Sequence, residues 1–276
     1  MSGLSNVLLE KESKLDRLLA KSGGGLLAFS GGVDSSYLLA RAVKALGDRV
    51  LAVTAVTPFL PVGEEAMALQ IAISLEARHE IVRPDVLSSA EVVKNPSDRC
   101  YHCKKEIFAA LRRVAEGSGL STIFDGTNAS DMNERRPGRR ALTELGVISP
   151  LAECGITKEE VRALSRAQGL PNWAEPPQTC LATRFPYGTP LTLEGLKRIG
   201  KAEAALRELG LGNLRFRSHG DIARLELSSE KFAEAVGERR PEIIEIAHIA
   251  GFKYVTIDLE GYRFGSMDES LPTLES

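Results

Sequence analysis

Six residues, Ser30-Gly31-Gly32-Val33-Asp34-Ser35, join an apolar run to a helical pattern that begins near Tyr37. A strand that turns into a helix through two glycines gathers several free backbone N–H groups at one point. Glycine lets the backbone curve into an anion-cradling nest, and the positive end of the helix dipole adds to the attraction. The hydroxyls of Ser30, Ser35 and Ser36 supply further donors. This is chemistry for holding phosphate groups. The second reactive set is thiols. Cys100 and Cys103 form a CxxC in Asp98-Arg99-Cys100-Tyr101-His102-Cys103-Lys104, just ahead of a predicted helix. A helix N-terminus lowers thiol pKa values and favours metal ligation or redox work. Cys180 stands in an irregular segment with Arg184 close by in sequence, a setting for a reactive thiolate. Cys154 has no such company and reads as incidental. Three thiols without an evident fourth suit an iron–sulfur cluster with one open iron, with Cys100, Cys103 and Cys180 as ligands. A Cys3His zinc site with His102 is the alternative, strained because His102 lies between two of its ligands.

The elements that would position these groups alternate. Strands are predicted over 26–29, 50–56, 78–82 and 122–124, with a weaker one over 147–149. Helices are predicted over 63–75 and 103–115, after an N-terminal helix marked by Leu15, Leu18 and Leu19. Such alternation predicts an α/β fold, a parallel sheet with helices on both faces and ligands at the carboxyl ends of its strands. Asp125-Gly126-Thr127-Asn128 follows one of those strands and would reach the same rim as the glycine loop, either as a plain turn or with Thr127 and Asn128 as ligands. Thr157 and Glu160 form a capping box that opens a helix expected to run to Leu170. Pro171, Pro176 and Pro177 then interrupt regular structure, placing a boundary within 171–192 and dividing the chain into domains 1–175 and 176–276. The second reads as a smaller α+β unit: a helix over 192–209, strands over 214–218 and 222–227, helices over 230–250 and a last strand over 254–259. Arg215 and Arg217 alternate, so both lie on one face of a strand. From spacing alone they are two solvated arginines. Gly195 to Ala202 nearly spells a Walker A loop, but it ends in Ala and lies inside a helical pattern.

The chain has 276 residues, 43% of them hydrophobic and 26% charged, with a net charge of −2. That balance fits a globular protein and lacks the basic field that non-specific nucleic-acid binding needs. No apolar run approaches the ~20 residues of a membrane span, and the first residues are charged and helix-like rather than a signal peptide. The expectation is a cytoplasmic protein whose cysteines are thiols, not structural disulfides.

The glycine loop resembles the PP-loop of ATP pyrophosphatases, which split ATP between its α and β phosphates and pass AMP to a substrate. Three longer strings carry a more specific match: Phe29 to Ser36, Pro177 to Gly188 and Arg215 to Glu226, together with Asp125 to Asp131. They look like the LarE family of ATP-dependent sulfur transferases, and the likeness spans nearly the whole chain. It implies an adenine nucleotide alpha hydrolase-like domain that uses ATP and Mg2+. Its substrate would be pyridinium-3,5-biscarboxylic acid mononucleotide, thiolated on the way to a nickel-pincer cofactor. Ser30, Gly31, Gly32, Asp34, Ser35, Ser36, Thr127 and Asn128 would hold the nucleotide, and Arg215 and Arg217 a phosphate of nucleotide or substrate. Glu203, Glu226 and Arg263 are further positions offered by the resemblance. Cys180 would be catalytic, either giving up its own sulfur or serving with Cys100 and Cys103 as ligand of a 4Fe-4S cluster that carries a labile sulfide. The CxxC favours the cluster, because pure sacrifice leaves it unexplained. A homo-oligomer, possibly a hexamer in the family's manner, is also implied, with no nucleic-acid or membrane partner. A PP-loop tRNA thiolase is the nearest rival, against which stands the lack of basic stretches beyond Arg135-Arg136 and Arg139-Arg140. An amidotransferase would need no CxxC, and an adenylate sensor with structural zinc would release no pyrophosphate.

Overall fold

The computed structural model describes residues 5–133, 137–176, 179–263 and 265–267. The first four residues of the expected N-terminal helix, Arg135 and Arg136 of the basic stretch, and Pro177 and Gln178 of the cysteine string lie outside the described residues. In chain order the elements are α1 (Asn6–Ser22), β1 (Gly25–Ala28), α2 (Val33–Leu46), β2 (Val50–Ala55), α3 (Glu64–Ser74), β3 (Arg78–Val82), α4 (Ala90–Val93), α5 (Arg99–Gly117), β4 (Ile123–Phe124), α6 (Pro137–Glu144), α7 (Pro150–Glu153) and α8 (Lys158–Ala167). They continue with α9 (Leu193–Glu208), β5 (Arg215–His219), β6 (Ile222–Glu226), α10 (Phe232–Val236), α11 (Arg240–Ile249) and β7 (Tyr254–Ile257). The chain divides into two units: residues 1–57, 63–86 and 98–178 form the first, and residues 58–62, 87–97 and 179–276 the second.

The first unit is built on a parallel sheet in the order β3-β2-β1-β4. Alternation along the strands sends side chains to two cores. Leu27, Val50, Ala52 and Phe124 meet α1, α2, α3 and α8 on one face, whereas Leu26, Leu51, Val53 and Ile123 meet α5 and α6 on the other. Period-2 side chains buried on both faces are what a covered parallel sheet requires. The chain runs from β1 outward to β3, then returns to place β4 on the other side of β1. Loops leaving the carboxyl ends of β1 and β4 therefore diverge, which opens a crevice at the switch point. The capping box forms as expected, with Thr157 Oγ1 accepting the Glu160 N–H at 3.3 Å and Glu160 Oε2 accepting the Thr157 N–H at 2.8 Å. Residues 147–149 do not form a strand: Ile148 makes a single parallel bridge to Phe124. Helix α8 stops at Ala167, and Gly169 follows it with a φ of +73°.

The second unit carries a three-stranded sheet in the order β5-β6-β7. Strands β5 and β6 form a hairpin at Gly220, and β7 lies parallel to β6. Helix α9 buries Leu196, Ile199, Leu206 and, unusually, Glu203. The helices expected over 230–250 are α10 and α11, separated at Gly237.

Candidate functional site

Strand β1 delivers Ser30 to the crevice, and Gly32 caps the N-terminus of α2. Gly31 holds a φ of +76°, and a Cβ there would come within 2.9 Å of Ala68 Cα, so only glycine makes this turn without strain. The hydroxyls knit the loop. Ser35 Oγ donates to Gly32 O at 3.0 Å and lies 3.1 Å from Ser30 Oγ, which accepts the Gly32 N–H at 3.3 Å. Strand β4 brings Asp125 to the same rim. Its carboxylate accepts from the hydroxyls of Thr127 and Ser149, both at 2.5 Å. Gly126 lies so close to the first turn of α2 that a Cβ would sit 3.0 Å from Ser35 N. These groups line a cavity of about 280 Å³ bounded by Ser30, Gly32, Asp34, Ser35, Lys104, Phe108, Asp125, Gly126, Thr127 and Asp131.

Of the residues named from the sequence, Ser30, Gly32, Asp34, Ser35 and Thr127 thus meet at one pocket. Asn128 stands just behind it, buried, with its Nδ2 donating to Asp34 Oδ1 at 3.3 Å. Gly31 and Ser36 face away: Ser36 is fully buried and donates to Gly31 O at 3.2 Å. Two lysines belong to this site that sequence reasoning missed. Lys104 lines the pocket from α5, one residue after the CxxC. Lys158, the first residue of α8, pairs with Asp34. Its signal was the capping box, which announces where α8 starts and so which side chain stands at its first position. Burial holds the Asp34 carboxyl above the usual aspartate range, against the pull of Lys158. Three carboxylates, Asp34, Asp125 and Asp131, around a phosphate cradle would repel a bare triphosphate. Lys104 at the pocket and Lys158 on Asp34 offset part of that repulsion.

Helix α5 starts at Arg99, earlier than expected, so Cys100 lies in its first turn and Cys103 at the start of its second. One helical turn apart, they share a face. Cys100 is exposed and Cys103 half-buried, and Arg99 Nη2 stands 3.8 Å from Cys100 Sγ. His102 instead lies 3.5 Å from Asp98. Cys154 is buried in the core, and burial pushes its thiol pKa up, which fits an inert residue. Among the described residues no group of three or more His, Cys, Asp or Glu side chains is placed to hold a metal ion.

In the second unit Cys180 is half-buried at the start of a short 3-10 turn. Its carbonyl accepts from Thr183 Oγ1 at 2.7 Å, and Leu181 N–H donates to Phe59 O at 2.8 Å. The turn ends in Arg184, fully buried, which grips Glu203 through two bonds of 2.6 and 3.0 Å and donates to Thr179 and Thr183. Arg215 and Arg217 are buried, not solvated. Arg217 grips Glu226 in the same two-pronged way and donates to Thr183 O at 2.6 Å, tying β5 to the Cys180 turn. Arg215 lies over the Tyr262 ring at 4.6 Å, and burial together with the charge of Arg184 lowers its pKa to about 10. Arg207 shares Glu203, and Arg224 shares Glu226. Arg184, Arg207, Arg215, Arg217 and Arg224 outnumber Glu203, Glu226 and Asp258, and this surplus of positive charge suits an anionic substrate.

No family model matches the chain. It is 36% identical over 246 residues, 89% of either chain, to the pyridinium-3,5-bisthiocarboxylic acid mononucleotide synthase of Lactiplantibacillus plantarum. It is 40% identical to an uncharacterised protein of Synechocystis sp., covering 94% of this chain and 98% of the relative. One component of the glutamine-hydrolysing GMP synthase of Archaeoglobus fulgidus is 29% identical over 173 residues, 59% of this chain and 56% of the relative.

Proposed function

The chain belongs to the LarE family of ATP-dependent sulfur transferases, and we propose that it thiolates pyridinium-3,5-biscarboxylic acid mononucleotide on the route to a nickel-pincer cofactor. The observation that supports this reading is the phosphate loop at the β1–α2 junction, where Lys104 lines a pocket of carboxylates and Lys158 pairs with one of them, Asp34. A carboxylate is a poor acylating agent. Attack of the substrate carboxylate on the α-phosphorus of ATP forms an acyl-adenylate and releases pyrophosphate, whose charge the loop amides, Lys104 and Lys158 offset; Mg2+, when bound with the nucleotide, would add to that neutralisation. Thiolate attack on the activated carbonyl then forms a thioester and expels AMP. Cys180 heads the turn whose carbonyls Arg184 and Arg217 hold. If Cys180 is the donor, its Cβ–Sγ bond breaks by elimination, leaving a thiocarboxylate on the substrate and dehydroalanine in the chain.

A second reading has its own observation. Cys100 and Cys103 share one face at the exposed start of α5, and sacrifice gives them no task. Their thiolates, with Cys180, match the donor chemistry of a 4Fe-4S cluster with one iron left open, which would supply a labile sulfide and permit repeated turnover. We favour this reading. Anaerobically purified protein is then expected to be brown, and Cys100→Ala to remove both colour and multiple turnover. Mass spectrometry of Cys180 after reaction decides between the two: an intact cysteine supports the cluster, and dehydroalanine supports sacrifice. A colourless, single-turnover protein after treatment with iron and sulfide would overturn the cluster reading.

A further inference from the structure

Asn172 is 4% exposed and follows α8 by a few residues, outside every string that marks the function. Both protons of its amide serve the phosphate loop. Nδ2 donates to Gly31 O at 2.7 Å and to Ser36 Oγ at 3.0 Å, while Ser36 Oγ donates to the same Gly31 carbonyl at 3.2 Å. The amide oxygen, Oδ1, is buried with no hydrogen-bond partner among the described residues. A buried amide that satisfies its donors and leaves its acceptor unmet is not placed there for packing alone. In a trans peptide the carbonyl of one residue and the N–H of the next point in opposite directions. Holding Gly31 O inward therefore aims the Gly32 N–H outward, and that N–H does meet Ser30 Oγ, which lines the pocket. Gly31 is at φ +76° with Ala68 against it, so the plane has little room to settle on its own.

We propose that Asn172 is the positioning residue that latches the Gly31–Gly32 peptide in its phosphate-binding orientation, acting with Ser36 as one unit. The inference rests on the reading of this loop as the site of the pyrophosphate group. Arg162 holds the turn that follows Asn172 through the carbonyls of Trp173 at 3.2 Å and Glu175 at 2.8 Å.

The test is titration calorimetry of the full chain with magnesium pyrophosphate, well below the melting temperature of each variant. Asn172→Asp keeps the shape but sets an acceptor against Gly31 O, which favours a flipped peptide with its carbonyl toward the phosphate. It is expected to weaken pyrophosphate binding at least tenfold and to raise KM for ATP more than it lowers kcat. Asn172→Ala, which introduces no buried charge, is expected to weaken binding less, and adding Ser36→Ala to it to cost less than the two single losses combined. A merely structural asparagine would lower the melting temperature of the variants and leave pyrophosphate affinity unchanged, and that result overturns the proposal. Wild-type protein that binds no pyrophosphate would instead overturn the phosphate-loop reading itself, and this inference with it.

Discussion

At the scale of single residues, the pocket is governed by a conflict of charges. Asp34 sits at the positive end of α2, yet burial raises its pKa, and Lys158 is the chief influence holding it down. If ionised Asp34 helps bind the magnesium–phosphate group, protonating it on the acid side removes activity. Lys158→Met deletes the stabilising cation and pushes the carboxyl pKa higher still. The acidic limb of the pH profile for pyrophosphate release is therefore expected to move to higher pH in this variant, by direct comparison with wild type. A limb that stays in place would separate Asp34 from the reaction. Arg215 and Arg217 teach a related lesson. Their period-2 spacing correctly places them on one face of β5, but spacing says nothing of what covers that face. Glu226 and the Cys180 turn bury Arg217, and Asn213, the Leu214 carbonyl and Tyr262 bury Arg215.

At the scale of elements, the phosphate loop works because α2, α8 and β4 arrive at it together. Helix α8 contributes Lys158 only if it begins where the capping box starts it. Replacing Thr157 by Ala removes an N-cap oxygen and is expected to cost about 1 kcal/mol in denaturant unfolding. An unchanged unfolding free energy would mean that the cap does not set the start of α8. This part of the fold was legible in the sequence because strand alternation, the Gly-Gly turn and the capping box are local signals. The strand expected over 147–149 failed for a non-local reason, since Ile148 finds only one bridge partner at the end of the two-residue strand β4. Helix α5 began four residues early because Arg99 and Cys100 continue a helix that composition alone does not extend backward. Lys104 and Asn172 were invisible for the same reason: each reaches the loop from an element distant in sequence, and no local pattern marks such an approach.

At the scale of the whole molecule, the two units differ in the charge they gather. The first holds carboxylates and lysines around the phosphate loop, and the second an arginine surplus beside Cys180. Each unit also holds a histidine that burial keeps below its ordinary pKa of 6.5, His79 in the first and His219 in the second, the latter also opposed by Arg224 and Arg217. The unfolded chain takes up these protons near that value, and the folded chain only at lower pH. The stability that the neutral rings contribute is therefore present above 6.5 and is lost as pH falls toward the folded values. Chemical denaturation is expected to show a smaller loss between about pH 7.5 and about pH 5.5 in the His79→Gln, His219→Gln double variant than in wild type. Equal losses would assign the effect to other groups. Among the described residues no helix is long and apolar enough to cross a membrane. The proposed reaction requires ATP splitting at the loop and sulfur transfer at the Cys180 thiol. The direct measurement is anaerobic incubation of the full chain with MgATP and pyridinium-3,5-biscarboxylic acid mononucleotide, following AMP, pyrophosphate and the mass of the nucleotide product together. The expected result is AMP and pyrophosphate released only when the biscarboxylate is present, with sulfur replacing oxygen on that nucleotide in wild type and on none of it in Cys180→Ala. Pyrophosphate release without any thiolated nucleotide, or thiolation without ATP, would contradict the account.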